Sequence, residues 1–197
     1  MRVYPSNAVT NGTETHEGAM TVQALRERRP QSLADLLATH GKEIQAVAWL
    51  ILRDRPLAED VTIETLLTAY DKAASIRDDA ALRAWLLRVA TNRALSIRRS
   101  RARVVDLTLA PEWDTGLDFA AQATDHVALL SGVARLPLQI RAAVVLRYYA
   151  DLSVDEVATT LGKSPNTIKA QLQTALDRLR SSLIEPSAPE AAEVSHA

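Results

Sequence analysis

The sequence predicts an all-α protein: two small helical domains joined by an acidic flexible linker, the second containing a helix-turn-helix. Three observations predict it. Aromatic residues make up 4% of the chain, with a single Phe, while Ala, Leu, Val and Arg dominate, a composition that favours helices over sheets. Apolar residues recur three and four positions apart in two blocks, separated by a stretch where that period fades. The run from Leu152 to Arg180 carries a helix start, a helix stop and a second helix start in close succession.

Taken in chain order, residues 1–24 are polar and read as a disordered leader. The first helical domain is expected over 25–103. Ser32 is a candidate cap, and Leu33, Leu36, Leu37, Ile44, Val47, Ala48 and Ile51 give one helical stripe, with Gly41 as a candidate interruption. Pro56 begins a second helix that carries Leu57, Val61, Glu64, Leu67 and Tyr70. A polar loop, Ser75 to Asp79, leads to a third helix from about Ala80 to Arg101, whose inner stripe is Leu82, Trp85, Leu86, Val89 and Ala90. Residues 104–124 hold Pro111, Gly116 and four carboxylates, Asp106, Glu112, Asp114 and Asp118, and form the expected linker. The second domain is expected over 125–184. Its first helix ends near Pro137, and its second carries Ile140, Val144, Val145 and Tyr148. Residues 185–197, rich in Pro, Ala, Ser and Glu, read as a flexible tail.

The helix-turn-helix rests on local chemistry. Ser153 followed by Glu156 is a capping-box pattern, and Val154, Val157, Ala158 and Leu161 follow at helical spacing. Gly162 suits the left-handed position just past a helix end. Ser164 caps the next helix, and Pro165 fits its first turn, where no backbone N–H is needed. Ile168, Leu172, Ala175, Leu176 and Leu179 make that helix's buried stripe. Asn166, Thr167, Lys169, Ala170 and Gln173 are left outside, at the end that this motif inserts into the DNA major groove.

The net charge of -1 is uninformative, but its distribution is not. Arg83, Arg88, Arg93, Arg98, Arg99, Arg101 and Arg103 run without an intervening acid, which gives a local basic face on a neutral whole. The chain has no Cys, which excludes disulfides and thiolate metal sites. His16, His40, His126 and His196 are scattered, so neither a metal nor a cofactor is expected. The longest apolar run, Ala46 to Leu52, is too short to cross a membrane, and no basic-then-apolar leader is evident, so the expected location is the cytoplasm. Asp60 and Glu64 share one helix face, but no third ligand or His joins them at useful spacing, and no catalytic role is expected. Gly162-Lys163-Ser164 imitates the end of a phosphate loop, yet the earlier Gly is Val157 and no strand precedes it.

With these residues in view, the chain resembles the two-domain bacterial sigma factors of the extracytoplasmic-function group over roughly Leu33 to Leu183. The run Ala58-Glu59-Asp60-Val61-Thr62-Ile63-Glu64 and the helix Leu82 to Ala94 are similar to the family's region two. Leu136-Pro137, Val144 to Tyr149 and the helix-turn-helix are similar to region four. The resemblance implies a partner, core RNA polymerase, and a target, promoter DNA, with an anti-sigma protein as a candidate inhibitor. It implies polymerase contact at Asp60 and Glu64. It implies minus-ten contact at Arg77, Arg83, Trp85, Arg88, Asn92, Arg98 and Arg99, and minus-thirty-five contact at Ser164, Pro165, Asn166, Thr167, Lys169, Ala170 and Gln173. Asn92 matches the family position near a flipped base, where an amide both donates and accepts. Trp85 could stack on a base, though it falls on the inner stripe. Departures occur at Ile63 and Leu66, where the family often has Gln and Phe, and at Gln171 and Thr174, where it often has Arg. The last two remove phosphate contacts and predict a weakly binding isolated region four.

Two other readings stay open at this level. A stand-alone helix-turn-helix regulator of the response-regulator output type shares the Thr-Ile-Lys opening of the recognition helix, but its receiver would alternate strands and helices. A protein-binding helical adaptor would leave the basic helix without purpose.

Overall fold

A computed structural model describes residues 22–104 and 124–184, and among these residues no strand occurs. The order is α1 (Val22–Arg26), α2 (Ser32–Leu52), α3 (Arg55–Asp71), a 3-10 turn (Ala73–Ser75), α4 (Asp79–Val104), α5 (Thr124–Arg135), α6 (Leu138–Val144), a π-helical turn (Val145–Tyr149), α7 (Val154–Leu161) and α8 (Pro165–Ile184). Residues 105–123 of the expected linker, the expected tail, and residues 1–21 of the expected leader lie outside the described residues.

Helix α2 is the hub of the first block and packs against both α3 and α4. Gly41 does not interrupt it. The helix runs through, because the surrounding apolar contacts outweigh the modest propensity cost of one Gly. It stops at Arg53, whose left-handed backbone (φ 56°) lets its N–H reach the Trp49 carbonyl at 2.7 Å. The Arg53 guanidinium lies 4.0 Å over the Trp49 ring, a cation–π contact that offsets part of the backbone strain. Asp54 then caps α3 through a 3.0 Å bond from the Leu57 N–H, with Pro56 in the first turn.

Helix α1 straddles the expected leader boundary at residue 24. Its Val22 and Leu25 are buried, the Val22 N–H donates to Asp79 at 2.6 Å, and Arg26 donates to the Ile76 carbonyl at 2.5 Å. Five residues are too few for a periodic pattern, so only tertiary contact reveals the helix.

Every residue from Ala46 to Leu52 is buried. A helix that is apolar all round is enclosed on all sides, and the rest of α2's surroundings explain this one. Its far side meets α6 and the π-helical turn, so the two blocks share one continuous core. Full burial of side chains such as Ile51 and Leu52 stabilises by about 1.5–3 kcal/mol each.

In the second block α8 packs on α5, α6 and α7. Tyr148 turns out of the core and is 57% exposed. The π-helical turn is the reason. Its Ala150 N–H bonds the Val145 carbonyl five residues back, which shifts the phase of everything that follows. Leu37 is likewise exposed rather than in the core.

Candidate nucleic-acid interface

The helix-turn-helix forms as its caps dictate. Ser153 accepts from the Glu156 N–H at 3.3 Å, and the Glu156 carboxylate accepts from the Ser153 N–H at 2.8 Å. The Ser153 hydroxyl, which donates to the Glu156 carboxylate at 2.7 Å, and then the Ser153 N–H hold that carboxyl below the usual range, because both favour its ionised form. Gly162 is left-handed (φ 63°), and Lys163 N–H reaches the Ala158 carbonyl at 2.9 Å. Ser164 accepts from the Thr167 N–H at 3.1 Å, and the two hydroxyls lie 2.8 Å apart.

Ile168, Leu172 and Ala175 are buried beneath α8. Ser164, Pro165, Asn166, Thr167, Lys169, Ala170 and Gln173 are all exposed and lie together at its N-terminal end. The positive end of the helix dipole and the first backbone N–H groups point the same way, a setting suited to a phosphate. Gln173 is not idle: its amide donates to Asp177 at 3.1 Å, one turn on. Thr174 bonds back to the Ala170 carbonyl at 2.9 Å, and Gln171 is half-buried.

The basic helix α4 buries Leu82, Leu86, Leu87, Ala90, Ala94 and Leu95. The inner stripe is therefore centred a little to one side of the expected one, and Trp85 and Val89 sit at its edge, half-buried. Arg88, Asn92 and Arg99 are exposed, and Arg98 is half-buried. Arg77 lies outside α4, in the preceding loop, paired with Asp78 at 2.8 Å.

Two arginines have other partners. Arg93 is exposed and forks onto Glu64 of α3, one of its bonds being 2.8 Å. Glu64 is thus tied across to the basic helix, while Asp60, one turn earlier, is exposed. Arg83 binds the Glu43 carboxylate of α2 with both arms, one at 3.1 Å, and donates to the Ala150 carbonyl of the second block at 2.6 Å. Sequence reasoning missed this crossing because nothing local to Arg83 records a partner 67 residues away.

Sequence reasoning also missed Arg141. Its side chain is buried and, among the described residues, meets backbone carbonyls rather than a carboxylate: it donates to Ile51 at 3.0 Å, to Leu136 at 3.2 Å and to Ala134. Burial, then the nearby charges of Arg98 and Arg53, lower its pKa to about 10, so it stays charged at neutral pH. An apolar groove of about 430 Å³ lies nearby, walled by Leu50, Leu130, Val133, Tyr148, Tyr149 and Leu176. No helix among the described residues is long and apolar enough to cross a membrane, and no group of acidic or His side chains there has metal-site geometry.

Comparison with known proteins agrees with this geometry. A family model described as Sigma-70 region 2 matches residues 36–104, and one described as Sigma-70, region 4 matches residues 126–179. The chain is 36% identical over 152 residues to the ECF RNA polymerase sigma factor SigL of Mycobacterium tuberculosis, covering 74% of this chain and 85% of that one. It is 32% identical over 147 residues to SigM of the same species, covering 73% of each. Among solved structures, the sigma factor RpoE in complex with the anti-sigma factor NepR from Bartonella quintana shares the fold, with a TM-score of 0.66 at 22% identity, over 78% of this chain and 98% of that one. With both family regions in order on one helical scaffold, and relatives matched along most of their length, the chain belongs to the ECF family of RNA polymerase sigma factors.

Proposed function

We propose that residues 25–103 serve as the minus-ten module of this sigma factor and residues 125–184 as its minus-thirty-five module, with 104–124 as the tether between them. As a family member the chain binds core RNA polymerase, recognises both promoter elements and enables initiation. The finer reading is which side chains do so. The observation that carries it is the cluster of exposed residues at the capped N-terminus of α8, with Lys169 among them. Those residues read the minus-thirty-five duplex from the major groove. Arg77, Arg83, Arg88, Arg98 and Arg99 hold the minus-ten backbone, and Asn92 and Trp85 serve the opened strand. Asp60 and Glu64 present the acidic contact to polymerase. No covalent step is assigned to any residue, and the cytoplasm is the compartment that suits a partner of polymerase.

The experiment is reconstituted transcription. Purified factor plus core polymerase should initiate specifically from members of a promoter library, and Asp60→Asn with Glu64→Gln should reduce capture by polymerase. Duplex binding without polymerase, and no initiation with it, would overturn the reading in favour of a stand-alone regulator.

An anti-sigma protein is the expected inhibitor. A sigma factor of the same fold is seen with one, and the groove beside Tyr148 and Tyr149 is an unpolar seat for an amphipathic segment. Co-purification from native extract should recover a protein that blocks transcription in the reconstituted assay. Recovery of none that does so counts against the idea.

A further inference from the structure

We infer that α1 braces the loop between α3 and α4, and that Arg26 is the positioning residue through which it sets how selectively that loop meets the opened minus-ten strand. The loop has an anchor and a tip. Ile76 is fully buried, the Arg77 side chain beside it is 84% exposed, and Asp78 caps α4 through a 2.8 Å bond from the Ala81 N–H. Three loop carbonyls converge on one guanidinium. Arg26 Nη2 donates to Ile76 at 2.5 Å and to Arg77 at 3.2 Å, and its Nε reaches Ala73 at 3.4 Å. Carbonyls cannot satisfy one another, so such a cluster needs a donor. A guanidinium suits it because its N–H groups form a fixed planar fork, whereas an ammonium is a point charge on a flexible stem.

The brace is itself pinned. A five-residue helix has little stability of its own, so tertiary ties must hold it. Val22 and Leu25 are buried, and the Val22 N–H donates to Asp79, the first residue of α4, at 2.6 Å. Just past α1, Arg28 turns left-handed (φ 51°) and its guanidinium lies 4.8 Å over the Tyr70 ring of α3. The helices on both sides of the loop are thus tied to α1 and its end. The match to Sigma-70 region 2 begins at residue 36, beyond α1. What the brace controls follows from what the loop carries. With Arg77 assigned to the minus-ten strand, a reading on which the inference rests, the loop shapes the surface that an unstacked base meets. A loop held by several bonds cannot re-form around a wrong base, whereas a loosened one can, and flexible surfaces are the promiscuous ones. Arg26 uses its Nε and Nη2 donors on the loop, so its removal costs selectivity rather than a phosphate contact.

The test uses the full chain with core polymerase and a pool of forked promoter fragments whose single-stranded minus-ten segment is randomised. Sequencing the bound fraction gives the enrichment ratio of favoured over disfavoured strands. Arg26→Ala should lower that ratio about tenfold, the scale of one hydrogen bond to a charged group. In the free factor it should speed hydrogen exchange at residues 73–81 while the rest of the first block keeps its protection. Capture by polymerase and the salt slope of strand binding should not change. Arg26→Lys keeps the charge but loses the fork, and should restore little of the ratio. A uniform loss across the pool, with a salt slope lower by about 1 and rescue by Lys, would make Arg26 a phosphate contact and overturn the inference. An unchanged ratio overturns it too, as does exchange that quickens throughout the block. Arg77→Ala separates the two claims. If it lowers the ratio and Arg26→Ala does not, the brace fails alone; if neither does, the minus-ten reading of Arg77 fails and takes the brace with it.

Discussion

Two glycines make opposite predictions. Gly162 ends α7 at φ 63° with nothing near the position a Cβ would take, so only backbone strain opposes a side chain there. Gly162→Ala should destabilise by about 1–2 kcal/mol in urea unfolding. Gly41 lies inside α2, and an added Cβ would meet only the Leu37 side chain, its Cδ1 at 2.7 Å and its Cγ at 3.5 Å. Leu37 is 47% exposed and free to swing outward, so Gly41→Ala should stabilise by up to about 1 kcal/mol through helix propensity. The sequence announced Gly162, because the caps on either side demand a left-handed residue. It misled at Gly41, because a lone Gly in a periodic run reads the same whether a helix breaks or continues.

At the scale of elements, the recognition helix is the part most nearly readable from sequence. Its cap, its buried stripe and its exposed face all follow from residues within twenty positions of one another. Lys169→Ala should weaken duplex binding across all promoter sequences and lower the salt slope of log K by about 1, measured by titration at several salt concentrations. A loss confined to one promoter sequence would instead make Lys169 a base reader. The basic helix α4 was less readable. Its arginines stand out in the sequence, but three of them are shared out among carboxylates of α2, α3 and the α2–α3 turn: Arg83 with Glu43, Arg93 with Glu64 and Arg101 with Asp54. Such pairs are mostly exposed and each contributes about 0–1 kcal/mol, so they steer orientation more than they stabilise. The π-helical turn escaped because its extra residue per turn has no signature in hydrophobic spacing.

For the whole molecule, what the sequence concealed is how the blocks meet. The one hint was Ala46 to Leu52, apolar on every side, which a helix facing a single neighbour does not need. Arg141→Met should cost roughly 3 kcal/mol in global unfolding, because it strands several buried carbonyls at once. The seam also carries a titration. Burial lowers the His40 pKa below its ordinary 6.5, the Arg83 charge lowers it further, and Glu43 partly opposes both. The folded state thus favours neutral imidazole, and the unfolded chain takes up the proton first. The stability this contributes is complete above about pH 6.5 and declines as pH falls below that, levelling once the folded pKa is passed. His40→Gln should flatten that stretch of the stability curve, and an unchanged slope would assign the effect elsewhere. The helix-turn-helix, by contrast, ties off its own ends with Ser153, Glu156, Gly162 and Ser164. Those ties are all local to the motif, so the turn between its two helices is fixed by its own residues, and a graft of this piece into a sister protein should carry its sequence preference along.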